Sequence, residues 1–131
     1  MNDYTKKAIE FYNKGIREYK EGLKEKETIK VREGCEKIFH AFVELSNGIL
    51  IEQHRPLACP LGVGARADAG YPIPKNHVIR SENLSALGLG ATYDHVKERL
   101  HDTCYYDGII REKYLEDAIE IVNTEIKKRT L

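Results

Sequence analysis

Between residues 31 and 49 apolar side chains recur in alternating steps of four and three, and this rhythm constrains the fold more than any other feature. The positions are Val31, Cys35, Ile38, Phe42, Leu45 and Ile49. On an α-helix they line one face, and the alternation is typical of a helix packed antiparallel on a neighbour. We therefore predict a long helix capped at Thr28. Gly34 lies within it and weakens it by about 1 kcal/mol, which predicts close approach of another helix there.

The preceding segment predicts that neighbouring helix. Its apolar residues also recur at helical spacing, at Tyr4, Ala8, Phe11, Tyr12, Ile16, Tyr19 and Leu23. Asp3 is the expected N-cap. The short polar connection at residues 25–27 makes the two helices an αα-hairpin.

A proline- and glycine-rich segment interrupts the helical pattern at residues 54–76. It contains all four prolines of the chain, which excludes a long helix there. Connections of this length inside a compact domain are usually functional or mobile, and we expect one of the two.

Three more helices are predicted beyond this connection. They are Ser81–Leu87, Thr92–Asp107 and about Arg111–Lys128. Gly108 can take the left-handed conformation that ends a helix. The pattern predicts an all-α fold, an antiparallel up-and-down bundle of four to five helices, with the long connection between the second helix and the C-terminal helices. Residues 1–131 are expected to form a single domain.

Charge and hydropathy exclude several classes of function. Basic and acidic residues both total 21, so no overall field attracts nucleic acid, and binding it would need a local patch. No segment approaches the roughly 20 apolar residues of a membrane-spanning helix. The first residues lack the apolar stretch of a secretory signal, so we expect a cytoplasmic protein. Abundant Lys and Glu with one Met and no Trp are typical of a heat-adapted source.

The cysteines and histidines show no metal-binding spacing. The three cysteines have no CxxC pair, which argues against a disulfide framework or a zinc knuckle. His101 and Cys104 could present two ligands on one helix, joined by His95, His40 or Cys35, but a buried Cys beside a boundary His explains the same pattern. We expect neither a metal nor a cofactor.

Two groups of residues are candidates for ligand contacts. A basic surface with an aromatic residue for stacking could form from Arg55, Arg66, Lys75, Arg80 and Tyr71. A pocket within the bundle could be lined by Tyr12, Tyr19, Tyr105 and Tyr106. The alternatives are a solvated loop whose arginines pair with carboxylates, and tyrosines that belong to the core.

Two stretches carry a resemblance to known proteins. In residues 8–50 a Tyr-rich amphipathic helix leads into REGCEKIFHAF at 32–42, and residues 100–108 read LHDTCYYDG ahead of the last helix. Together they resemble the archaeal PaREP family of repetitive helical proteins, which is similar in turn to the HEPN superfamily. The resemblance implies an up-and-down bundle that self-associates.

For many HEPN proteins the resemblance also implies RNA cleavage or nucleotide binding within defence and toxin systems. The ribonuclease members carry an Arg followed after four to six residues by a His. This chain departs from that motif, because Arg32 to His40 is too long a spacing and Arg99 to His101 too short. Only His101 and Tyr105 match family positions, in a role that we interpret first as structural.

We therefore expect a non-catalytic helical interaction or binding module, a homodimer that contacts nucleic acid or a partner protein. The alternative is an RNA-directed nuclease of HEPN type with an atypical site at His101, His95 and Arg99.

Overall fold

The computed structural model describes residues 2–53 and 73–130, and within those ranges it is all-helical, as predicted. The helices are α1 (Asp3–Glu25), α2 (Thr28–Glu52), α3 (His77–Ser85), α4 (Gly90–Val96) and α5 (Glu112–Thr130). Between α4 and α5 the chain continues as a π-helical segment, Lys97–Tyr106, here called the π segment. None of these helices is long and apolar enough to cross a membrane.

The helix starts differ from the predicted ones because side-chain caps decide them. Asn2, not Asp3, caps α1, since its side chain accepts from the Thr5 amide at 2.9 Å. The same side chain donates to the Gly48 carbonyl at 3.1 Å and so joins the start of α1 to α2. Thr28 is the first residue of α2 rather than its cap.

Helices α3 and α4 also begin earlier than predicted, whereas α5 begins at Glu112, within one residue of the prediction. Asn76 caps α3 by accepting from the Ile79 amide at 2.9 Å, so the helix starts at His77 rather than Ser81. The fourth helix starts at Gly90 rather than Thr92, where the absence of a side chain lets it pack against α3. Gly108 ends the π segment with a positive φ of 68°, as predicted.

Glycines set the distance between α1 and α2. A Cβ built on Gly34 would stand 2.6 Å from the Tyr19 amide nitrogen and 2.8 Å from the Gly15 carbonyl oxygen. A Cβ on Gly15 would stand 2.7 Å from Ile38. The two backbones therefore touch at this crossing, and the close approach predicted from Gly34 is confirmed.

The second helix is the centre of the bundle, because it packs against α1, α3, the π segment and α5. Its fully buried side chains include Cys35, Ile38 and Leu45. The facing elements contribute further large buried side chains to the core: Ile79, Leu84, Tyr93, Val96, Leu100, Leu115 and Val122. Helix α2 is thus the element on which any site between the two halves of the chain depends.

We expect Gly34→Ala to lower the free energy of unfolding by about 2 kcal/mol, because the new methyl group overlaps backbone atoms that cannot rotate away. Thermal unfolding followed by circular dichroism measures the loss. Glu33→Ala is the matched control, since Glu33 is exposed on the same helix and its truncation should change stability by less than about 0.5 kcal/mol. Equal stability of the two variants would contradict the close crossing.

Candidate functional site

A cavity of about 580 Å³ opens between α1, α2, α3 and the π segment. Its described lining consists of Phe11, Glu36, Lys37, Phe39, His40, Val43, Lys75, Asn76, His77, Arg80 and His101. This lining contains three permanently basic side chains and three histidines but a single carboxylate, that of Glu36. The volume lies within the range of small-ligand sites, and a cleft with an excess of one charge concentrates ions of the other.

The π segment brings His101 to this cavity. Its wider winding is visible at the end, where the Asp107 amide donates to the Asp102 carbonyl, five residues back, at 3.0 Å. Arg32 of α2 holds that end, because its guanidinium donates to the Tyr105 carbonyl at 2.6 and 2.9 Å and to that of Tyr106 at 3.0 Å. A cation at the last carbonyls of a helix also complements its dipole. Turns of π-helix are rare in proteins, and those that occur are frequently found at functional sites.

His101 pairs with Glu36 across the two segments. Its Nδ1 lies 2.8 and 3.0 Å from the two carboxylate oxygens of Glu36. A carboxylate can only accept, so Nδ1 carries a proton and donates it to Glu36. In the neutral ring Nε2 is then the unprotonated nitrogen, which can accept a proton or a hydrogen bond. A carboxylate on Nδ1 orients a histidine so that its Nε2 can act in general acid–base catalysis.

His77 holds the opposite tautomer. Its Nδ1 lies 2.7 Å from the Tyr93 hydroxyl and 3.3 Å from Nη1 of Arg80. A guanidinium can only donate, and that of Arg80 also donates to the Tyr93 oxygen at 3.2 Å. The Tyr93 hydroxyl therefore donates its own hydrogen bond to His77. Nδ1 therefore accepts and the ring proton sits on Nε2. His101 thus offers an acceptor nitrogen and His77 a donor nitrogen that have no hydrogen-bond partner among the described residues.

Burial keeps His77 neutral. Desolvation, followed by repulsion from Arg80, lowers the pKa of His77 to about 4. Burial likewise raises the pKa of Tyr93 to about 12, so its hydroxyl keeps the proton that it donates. The tautomer of His77 is therefore fixed throughout the neutral pH range.

Arg80 is buried, and the described part of the chain gives it no negative partner. Only 6% of it is exposed, and its hydrogen bonds go to the side-chain oxygen of Asn47 (2.9 Å), the Pro74 carbonyl (3.0 Å), Tyr93 and His77. All four acceptors are neutral, and no carboxylate of residues 2–53 or 73–130 forms an ion pair with it. Buried charges are normally paired, so among residues 2–53 and 73–130 this guanidinium leaves one positive charge uncompensated at the cavity wall.

Phe39 holds the rings of the site together. Its ring centroid lies 5.3 Å from that of His77, 5.0 Å from that of His101 and 5.9 Å from that of Tyr93. The two histidine rings are themselves 5.5 Å apart. These are ordinary aromatic contact distances, so the packed ring of Phe39 restricts both imidazoles to their observed orientations.

The atypical nuclease site predicted from sequence is assembled only in part. His101 lies in the cavity, but Arg99 points to α5, where its guanidinium covers the Tyr114 ring at 4.2 Å and donates to the Tyr114 carbonyl at 2.9 Å. His95 lies at the end of α4 and is absent from the described cavity lining. Among the described residues no cluster of three or more His, Cys, Asp or Glu could hold a metal ion.

The predicted basic surface divides in the structure. Arg55, Arg66 and Tyr71 lie outside the described residues. Lys75 is exposed and lines the cavity, whereas Arg80 is buried in the hydrogen-bond network and differs from the surface residue that we predicted. The prediction that Arg80 is exposed was wrong, because polar acceptors at Asn47, Pro74 and Tyr93 surround its guanidinium.

The four tyrosines of the predicted pocket do not lie together. Tyr19 on α1 donates to Glu116 of α5 at 3.2 Å. Burial raises the pKa of Tyr12, which also lies on α1. Tyr105 and Tyr106 lie instead against His101, with ring centroids at 6.2 and 5.0 Å. They also line a separate cavity of about 310 Å³ beside Arg32.

Sequence reasoning missed Glu36 and His77 as site residues. Glu36 lies on the polar side of a helix defined by its apolar face, and His77 borders the proline-rich connection. A signal existed in Glu36-Lys37 and His40, which place charged groups on one stripe of α2. Which of them faces another histidine depends on contacts between distant segments.

Comparison with known proteins adds no assignment: no family model, curated protein or solved structure matches the chain.

The lowered pKa of His77 predicts a specific loss of stability in acid. The unfolded chain binds a proton near the ordinary pKa of about 6.5, whereas the folded one binds it only at about 4. The contribution of neutral His77 to the free energy of unfolding is therefore complete above pH 6.5 and is lost as the pH falls toward 4. We expect the melting temperature of His77→Asn to fall less over this interval than that of the original protein.

Thermal unfolding at a series of pH values measures this difference. His95→Asn is the control, because it removes a histidine outside the cavity and should keep the original pH dependence. Parallel curves for the original protein and His77→Asn would contradict the assignment of a neutral buried His77.

Proposed function

We propose that the protein binds the phosphate group of a nucleotide or RNA ligand in the larger cavity, which His77 and His101 line. The buried guanidinium of Arg80, which no described carboxylate compensates, is the observation that carries this proposal. An anion in the cavity would supply the negative charge that the described residues do not. Arginine forms strong charge-assisted hydrogen bonds with phosphate.

The remaining lining fits the same class of ligand. The neutral His77 offers its Nε2 hydrogen, and Lys75 adds positive charge at the wall, whereas Glu18 balances the charge of Lys37 at 2.7 Å. Phe11, which is partly exposed at the cavity wall, provides an apolar surface suited to a nucleobase, since bases stack on aromatic side chains. A neutral protein can therefore bind nucleotides through a local site, without a positively charged overall surface.

This proposal predicts selective binding of adenosine 5′-monophosphate over adenosine. We expect calorimetric titration at low salt to detect the nucleotide, and Arg80→Gln to weaken its binding by about 10-fold or more, the effect of losing one charge-assisted hydrogen bond. Raising the salt concentration should weaken binding further.

Arg99→Gln is the matched control, because it removes a partly buried arginine that contacts α5 instead of the cavity. Circular dichroism verifies that each variant is folded, and Arg80→Lys tests the charge separately from the hydrogen-bond geometry. Equal affinity for adenosine and its monophosphate, or no binding of either, would contradict phosphate recognition.

We propose RNA cleavage as the second candidate function, and the His101–Glu36 pair favours it. Nε2 of His101 can take the proton of a ribose 2′-hydroxyl while that oxygen attacks the adjacent phosphorus. The bond from phosphorus to the 5′-oxygen breaks, and this oxygen takes a proton from water. Glu36 would stabilise the imidazolium that forms. The phosphate position required for this step is the one that Arg80 recognises in the binding proposal.

If the protein cleaves RNA, we expect His101→Ala to reduce the rate by about 10²–10⁴, the usual contribution of a general base. The products should end in a 2′,3′-cyclic phosphate, and a substrate with 2′-deoxyribose at the cleavage site should remain intact. His95→Ala is the control and should cleave at the original rate. Cleavage that survives His101→Ala would exclude this site, whereas binding without cleavage would leave the binding function alone.

We also propose a cytoplasmic homodimer of PaREP-like and HEPN-like type, from a heat-adapted archaeal source. The resemblance in residues 8–50 and 100–108 supports it, and so do the exposed apolar side chains of Ile29, Tyr106 and Ile109. Light scattering on the binding samples gives the molar mass, and a monomer would contradict self-association.

A further inference from the structure

Two buried thiols meet behind the cavity. The Sγ atoms of Cys35 on α2 and Cys104 on the π segment lie 2.8 Å apart, and both residues are 0% exposed. Neither cysteine is disulfide-bonded in the structure. Their separation exceeds a disulfide bond of about 2.05 Å by less than 1 Å, so only a small displacement separates the pair from a cross-link.

We propose that Cys35 and Cys104 form a reversible disulfide that joins α2 to the π segment. The oxidant is a small disulfide such as oxidised glutathione. One cysteine thiolate attacks a sulfur of the oxidant and releases one glutathione, and the second attacks the mixed disulfide and releases the other. The two cysteine protons leave with the two released thiols, so the protein loses two hydrogen atoms and the oxidant is reduced.

The surroundings make Cys104 the attacking group. The hydrogen bond between the two thiols, together with the charge of Arg32, lowers the pKa of Cys104 against the opposing effect of burial. The same hydrogen bond and burial raise the pKa of Cys35. Cys104 is therefore the first thiolate to form, and Cys35 is the resolving thiol beside it.

The pair also lies where a cross-link acts on the fold. The bond would close a loop between residues 69 apart in sequence, which restricts the unfolded chain strongly. Cys35 precedes Glu36, and Cys104 is one turn from His101, so the cross-link would join the two segments that carry this pair. Internal disulfides are common in proteins of hyperthermophiles, to which the Lys- and Glu-rich composition corresponds.

The test oxidises the protein with oxidised glutathione, both folded and during refolding, because the buried thiols need an opening to react. Peptide mapping after alkylation in denaturant should show Cys35 joined to Cys104, with a mass lower by two hydrogen atoms. We expect the melting temperature to fall by about 10 °C when dithiothreitol is added. The Cys59→Ser variant should behave in the same way, which excludes exchange through the third cysteine.

Cys35→Ala is the second control, and the comparison is made within this variant, with and without reductant. It should lose the dependence of melting temperature on dithiothreitol even if its overall stability is lower. Alkylation of both thiols after the oxidation treatment, a stable glutathione adduct on one of them, or a cross-link without change in melting temperature would overturn the proposal. The inference is independent of what the cavity binds.

Discussion

The backbone contact between Gly15 and Gly34 is the constraint on which the rest of the structure depends. Because no side chain separates α1 from α2 at this crossing, one side of α2 is closed by the hairpin alone. Its remaining surface is then available to α3, the π segment and α5. The cavity lies where the hairpin meets these later elements, so its shape follows from how closely the first two helices approach.

Charge and tautomer give the cavity its chemistry. Within the segments that the structure describes, Arg80 donates only to neutral oxygens and to one imidazole nitrogen, and its positive charge is not balanced there. The same hydrogen bonds orient Tyr93 and fix the proton of His77 on Nε2. Glu36 imposes the opposite tautomer on His101. The imidazoles of His77 and His101 thus present a donor and an acceptor at Nε2, because their Nδ1 atoms have different partners.

Helical periodicity was sufficient to predict the all-α class, the hairpin and the close approach at Gly34, since all three depend on local spacing. The helix starts were less predictable, because Asn2 and Asn76 compete with neighbouring Asp, Ser and Thr residues as caps. The π segment was not predictable, since Leu100 and Cys104 have apolar spacing that also suits an α-helix. The site was predicted in part, through His101, Lys75 and Arg80. Glu36 was missed because it pairs with His101 across 65 residues and no local pattern joins the two.

The separation of these contacts along the chain also orders the assembly of the molecule. The hairpin closes over a short connection, whereas the bonds of Arg80 to Asn47 and of His101 to Glu36 span 33 and 65 residues. Loop closure over longer distances costs more entropy and follows the formation of local contacts. Substitutions at the helix crossing should therefore slow folding, while those in the cavity should mainly accelerate unfolding. A chain that has completed its hairpin has not yet formed its site, so the cavity is a late product of folding.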